Sequence, residues 1–427
     1  MNASAKGIPA AVSLRASAAV DNLRAVIILL VLAIHSVLAY ENFLPTAPYA
    51  FDTPPFLWRS VPIVDSHRMI GFDIFSAWID IFVMATFFLL SGLFVWSSLS
   101  RKGAVAFLQD RALRLGLPFA VVVLLLMPLA TYPTYLQTAA QPGFADFWRH
   151  LRGLPFWPDG PMWFLWCLLV ADIAAAGLFQ LLAQRRKTVL RLSSFAGEHP
   201  VRFLAGFLLA CALAYVPLAL LFGPMPWFDL GPFSLQMSRP GLDAVYFFAG
   251  VIIGAVGIER SLVARSDVFA RRWTLWLAAA VVAYAIWLGI SAKIYGDPMP
   301  TPLAWQIGDD LSFVLACFTS GFCALALATR FARTNTAALN SLQRNSYGIY
   351  LLHYVFIVWL QYALLGRDWP AIVKAPLVFA GTLAMSWAAA AVLRRVPAIG
   401  AIIGGGRVAP VLSSLPLDGA SRVSLPD

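Results

Sequence analysis

Charge is the scarce ingredient of this chain. Of its 427 residues only 12% are Asp, Glu, Lys or Arg, while 60% are hydrophobic. A soluble domain carries about 25% charged residues, so a water-solvated globule is excluded. Histidine is scarcer still, at five residues. The four cysteines, Cys167, Cys211, Cys317 and Cys323, all lie in apolar runs. They offer neither a disulfide framework nor metal-ligand spacing, and we read them as packing residues; no metal is expected. No hydrophilic stretch is long enough for a second folded domain. The formal charge of +10 does not point to nucleic acid, because in a membrane chain an excess of Lys and Arg marks cytoplasmic loops.

What the sequence has instead is apolar runs of about 20 residues, the length a helix needs to cross a hydrocarbon core of about 30 Å. They fall at 25–40, 79–98, 115–132, 162–183, 203–222, 242–258, 273–292, 310–329, 346–365 and 372–393. The expected fold is therefore all-α, a polytopic membrane bundle of about ten helices. Lys and Arg fix its orientation: with a cytoplasmic N-terminus, 23 of the 31 fall in inside segments and eight, Arg59, Arg68, Arg149, Arg152, Arg239, Lys293, Arg367 and Lys374, outside. Both termini are then cytoplasmic. The expected organisation is a cytoplasmic segment 1–24, a membrane domain 25–393 and a cytoplasmic tail 394–427. A cleavable signal peptide is the competing reading of the first run, but the run begins more than twenty residues in and the charge count needs it as a span. The outside connections 41–78 and 133–161 are long and rich in Pro and aromatics. Such rings read either as an interfacial belt or as the cover of a site.

The first run, "DNLRAVIILLVLAIHSVLAY", carries Arg24 and His35. Eleven residues apart, they differ by roughly 20° around a helix and stand about 16 Å apart along it. They share one face, Arg24 at the cytoplasmic surface and His35 near mid-membrane, where an ionisable group needs a partner or a cavity. Asp21, three residues before Arg24, is positioned to hold its guanidinium. Each residue also has a plain structural reading, Arg24 as a snorkelling anchor and His35 as a hydrogen-bonded histidine inside the bundle.

His353 repeats that depth. In "QRNSYGIYLLHYVFIVWL" Arg344 marks the cytoplasmic level and His353 follows nine residues on, whereas His67, His150 and His199 lie in connections. The other intramembrane ionisable group in this reading is Asp172, which could orient a histidine or meet a backbone donor. Ser91 and Gly92, in "FFLLSG", permit close helix approach or a broken turn. Arg111 and Arg114, three apart ahead of Pro118, share a helical face. Paired guanidinium groups suit phosphate, although topology anchoring explains them too.

An Asp-x-Leu-Arg opening, Arg and His separated by ten residues, "FFLLSG", Arg-x-x-Arg before a proline, "WFLWCLL" and "SYGIYLLH" occur in that order, and the set resembles the acyltransferase type 3 family. The resemblance implies an integral membrane enzyme, placed in a bacterial inner membrane. It would move an acetyl or succinyl group from cytoplasmic acyl-coenzyme A to a hydroxyl of a cell-surface or periplasmic carbohydrate. Carried over, His35, Arg24 and His353 are the catalytic candidates, and Arg24, Arg111, Arg114 and Ser91 the donor-binding ones. Two features depart from the pattern. About 34 residues follow the tenth span, so no C-terminal esterase-like domain is expected, and "WFLWCLLVAD" stands where a Trp-Ser-x-x-x-Glu type motif is found in relatives. Read without the resemblance, intramembrane His, Asp and Arg also fit a proton-coupled transporter or exporter of a glycan or lipid-linked sugar; no inverted repeat supports that reading.

Overall fold

In lipid a spanning segment must satisfy its own backbone N–H and C=O groups, which leaves the helix as the form for apolar runs of this length. The computed structural model describes residues 10–181, 186–296, 301–333 and 336–403. Residues 1–9 of the expected N-terminal segment 1–24, and residues 404–427 of the expected tail 394–427, lie outside the described residues. In chain order the helices are α1 (Ala10–Val37), α2 (Ile70–Gly92), α3 (Val95–Lys102), α4 (Ala104–Thr138), α5 (Phe144–Gly153), α6 (Trp163–Leu181), α7 (Arg186–Glu198) and α8 (Pro200–Phe222). A hairpin of β1 (Trp227–Leu230) and β2 (Phe233–Gln236) precedes α9 (Pro240–Gly254), α10 (Trp273–Gly296), α11 (Leu303–Phe331), α12 (Ala337–Leu364), α13 (Ala371–Leu393) and α14 (Pro397–Ile403).

Nine helical segments among the described residues are long and apolar enough to cross a membrane, and the protein is a polytopic helical bundle. The tenth expected span, 242–258, is α9, which has only 15 residues and is apolar. Polar contacts group the helix ends. Asn22 of α1 donates to the Ala332 carbonyl (2.9 Å) and accepts from Gln343 (2.5 Å), while Arg394 donates to Asn345 (3.3 Å). The start of α1, the end of α11, the start of α12 and the end of α13 are therefore neighbours. At the other end Lys374 pairs with Asp65 at 2.8 Å and the Asn42 N–H donates to Asp73 at 2.8 Å.

Three segments differ from the sequence expectation. The second helix begins at Ile70 rather than near residue 79, because Asp73 and Ser76 lower hydropathy without breaking the helix; Ser76 donates to Glu41. The charged connection around residue 190 forms α7, an amphipathic helix whose small residues Ser193 and Ala196 are buried, Ser193 donating to the Ile253 carbonyl at 3.3 Å. In α4, two i→i+5 turns, Ala112–Gly116 and Val122–Leu126, precede Pro118 and Pro128. Each widens the helix just ahead of a residue that donates no backbone hydrogen bond.

The long outside connections are folded. Phe51, Trp58, Tyr135, Phe147, Leu151 and Phe156 form an aromatic core of their own, with Phe51 stacked on Trp58 at 4.8 Å. The hairpin joins this cap through Arg59 and Asp229 (2.7 Å) and through Ser234, whose hydroxyl donates to the buried Asp159. Burial pushes the Asp159 carboxyl up to about 7, against the lowering effect of Ser234 and Arg59.

Between α2 and α9 the backbones touch. A Cβ on Gly92 would meet the Phe247 carbonyl, one on Gly250 the Leu89 carbonyl, and one on Gly254 the Leu93 carbonyl. Gly250 and Gly254 form a small-x-x-x-small pair, the arrangement that lets membrane helices approach closely. Helix α2 stops at Gly92 and resumes at Val95, which realises the broken turn expected at Ser91-Gly92. Gly250→Leu should lower the melting temperature sharply, since overpacking costs about 1–3 kcal/mol or more where neither backbone can yield. Gly206→Leu, at a position with open space around it, is the control; equal melting of the two variants in detergent would contradict this packing.

Candidate active site

Burial places the two intramembrane histidines side by side. The rings of His35, at the end of α1, and His353, in α12, lie 5.4 Å apart edge to face. His353 is fully buried and His35 half-buried. Each ring is held by its own helix. His35 Nδ1 is 2.7 Å from the Val31 carbonyl, and His353 Nδ1 meets the Tyr350 carbonyl. A carbonyl oxygen only accepts, so both Nδ1 atoms carry protons and both Nε2 atoms present lone pairs. His353 Nε2 has no hydrogen-bond partner among the described residues.

Neighbours fix this pair. Gln361 donates to the His35 carbonyl at 2.9 Å, tying the end of α1 to α12. Tyr354 sets its ring 5.5 Å from that of His35, and Tyr350 stacks on His353 at 5.6 Å. The Tyr350 hydroxyl donates to the Pro161 carbonyl at 2.5 Å, which locks the ring against the start of α6.

On the side of the bundle where α1 begins, a cavity of about 150 Å³ opens among α1, α2, α4, α6 and α12. Arg24, Ser91 and Arg111 line it, with Ile28 and Phe87 one turn further in and Tyr350 against His353. Three of the four donor-binding candidates are thus in one space. Neither histidine lines it; Tyr350 is the residue that touches both the cavity and His353.

The charge in this cavity is unequal. Arg111 Nε lies 3.1 Å from Asp172, an ion pair whose hydrogen-bond alignment is poor, so Arg111 Nε and both Asp172 oxygens lack a hydrogen-bond partner among the described residues. The role expected for Asp172 beside a histidine is therefore not realised; it meets Arg111. Arg24 makes no close ion pair among the described residues and instead lies over the Phe94 ring, 5.6 Å from its centroid. The expected clamp by Asp21 is not formed at ion-pair distance. Both guanidinium groups line the cavity and no carboxylate does, so its wall presents several N–H donors suited to the oxygens of an anion.

Arg114 is not in this cavity. Its Nε donates to Asp110 at 3.0 Å and its carbonyl accepts from the Tyr347 hydroxyl. The wide turn that begins at Ala112 spreads the two arginines further around the axis than an α-helical turn would. Spacing alone therefore overstated their alignment.

Sequence reasoning also missed Asp80. The span was started at residue 79, which put this carboxylate at a boundary, but α2 begins at Ile70 and carries Asp80 ten residues inside. A second cavity, of about 360 Å³ between α4, α6 and the hairpin, has a lining with no titratable side chain and offers nothing for proton transfer.

No curated protein and no solved structure matches this chain. The acyltransferase type 3 family, described as an acyltransferase domain, matches residues 17–391. That stretch contains α1 through nearly all of α13 and every residue of the histidine pair and the arginine cavity, and the chain belongs to the acyltransferase type 3 family of integral membrane acyltransferases.

Proposed function

We propose that this enzyme takes an acetyl or succinyl group from acyl-coenzyme A on the cytoplasmic side of a bacterial inner membrane. It passes the group to a hydroxyl of a cell-surface or periplasmic carbohydrate. The observation that carries this reading is the placement of Arg24 and Arg111 in one cavity whose inner wall, Tyr350, stacks on His353. Phosphates of the donor would meet these guanidinium groups and Ser91. The extended arm of the donor would then reach inward along α1, over the roughly 16 Å that eleven helical residues span. The distribution of Lys and Arg supports a cytoplasmic position for the arginine cavity.

In the transfer step the acceptor oxygen forms a bond to the thioester carbonyl carbon, and His35 Nε2 takes the hydroxyl proton. The carbon–sulfur bond then breaks. The leaving thiolate receives that proton, which regenerates neutral His35 and free coenzyme A. The fixed Nδ1–H bond to Val31 keeps the lone pair on the nitrogen that faces away from the helix backbone. His353, buried and edge-on to His35, supports the ring from behind and is assigned the lesser share of the rate. The charge of Arg24 acts on the donor, not at the reacting carbon.

Two outcomes test this reading. Arg111→Ala should weaken acetyl-coenzyme A binding about tenfold or more while leaving acceptor use nearly unchanged, and Arg114→Ala should do far less because its guanidinium is held by Asp110. Equal losses from the two substitutions would contradict the donor site. In cells, deleting the protein should remove ester-linked acyl groups from surface polysaccharide. Unchanged acylation with loss of glycan export would replace this function with a transporter.

A further inference from the structure

Helices α1 and α2 run antiparallel, and the cavity records how they face each other. Arg24 and Ser91 line it at one level, and Ile28 and Phe87 line it one turn deeper. Eleven residues on from Arg24 is His35; eleven residues back from Ser91 is Asp80. Each interval spans about 16 Å of helix. His35 and Asp80 therefore stand at the same level on facing stripes.

The surroundings of Asp80 are unusual for a carboxylate inside a membrane. Its side chain is 57% exposed, while its neighbours Ile79 and Ile81 are each 1% exposed. Exposure to lipid would be costly for a charged group, so an opening of this size on a carboxylate calls for a polar partner. The carboxylate is also rigidly held. Arg239, at the start of α9, donates Nη2 to Asp80 Oδ2 at 2.5 Å and Nη1 to the Asp80 carbonyl at 3.0 Å. Arg239 is itself 13% exposed and rests over the Phe313 ring at 4.7 Å. Asp80 Oδ1 receives no hydrogen bond among the described residues. Asp80 does not line the donor cavity, which opens at Ser91 about 16 Å further along the same stripe of α2, so this oxygen is left for another molecule.

We propose that Asp80 is the acceptor-binding residue of this enzyme, its free Oδ1 accepting a hydrogen bond from a carbohydrate hydroxyl next to the one that reacts at His35 Nε2. The proposal rests on the carbohydrate acceptor proposed above. A carboxylate fixed by a guanidinium suits a polyhydroxyl ligand, because it supplies a charged acceptor that needs no reorganisation. Arg239 is then a positioning residue that acts through Asp80.

The test uses the purified full-length protein in detergent with a glucose oligosaccharide as probe. Oligosaccharide binding, acetyl-coenzyme A binding, thermal unfolding and acyl transfer are measured for wild type, Asp80→Asn and Asp80→Glu. In Asp80→Asn the amide oxygen stays with Arg239 and the NH2 takes the place of Oδ1, so oligosaccharide binding should weaken at least tenfold with donor binding unchanged. Asp80→Glu keeps the charge for Arg239 but moves the free oxygen by one methylene. It should keep wild-type melting and still lose oligosaccharide affinity, which covers the case of an Asn variant that does not fold. Oligosaccharide binding by either folded variant equal to wild type, or none by wild type, would overturn the proposal. Asp80-dependent binding without any acyl transfer would instead overturn the transferase reading and leave the subsite standing.

Discussion

Two hydrogen bonds within helices set the chemistry of this bundle: the Val31 and Tyr350 carbonyls each accept from the Nδ1 of a histidine less than one or about one turn further along. Each bond settles a tautomer and an orientation together. Without them the rings of His35 and His353 would be free to turn and to present an N–H where a lone pair is needed. With them, two imidazoles 5.4 Å apart present Nε2. Gln361, Tyr350 and Tyr354 do not create this arrangement; they hold the helices that carry it.

The second constraint is separation. A positive cavity with Arg24 and Arg111 lies towards one end of α1, and the histidine pair lies about three turns further on. Between them stand Tyr350, locked on Pro161, and Phe164. In the proposed reaction this keeps the charge that would hold the donor away from the atoms that react. Close packing of α2 on α9 through Gly92, Gly250 and Gly254 brings Arg239 against α2, where it grips Asp80. A stability feature and a candidate binding feature share that contact.

Much of this was written in the sequence, and what was not has physical reasons. The shared face of Arg24 and His35 follows from eleven-residue spacing on a regular helix, and α1 is regular. Arg111 and Arg114 failed the same reasoning because a wide turn begins between them, for which the sequence signal is only the proline that follows. Asp172 was visible as a buried carboxylate, but its partner, Arg111, is on another helix and no local pattern names it. Asp80 was hidden by hydropathy: Asp73 and Ser76 made the start of α2 look like a loop, although Glu41 from the preceding connection meets Ser76. The folded cap was foreshadowed by its aromatic content, whereas the short hairpin around Gly231 and Pro232 was not anticipated at all.

The central claim is that His35 performs chemistry and is not a packing residue. Its direct measurement is the turnover of purified His35→Ala in acyl transfer from acetyl-coenzyme A, normalised to protein that still binds the donor. Removing the ring leaves Arg24, Ser91 and Arg111 in place, so donor binding should persist while turnover falls by about two orders of magnitude or more, the range lost with a general base. Near-normal turnover per folded molecule, with the loss confined to stability, would make His35 a structural histidine and would contradict this account.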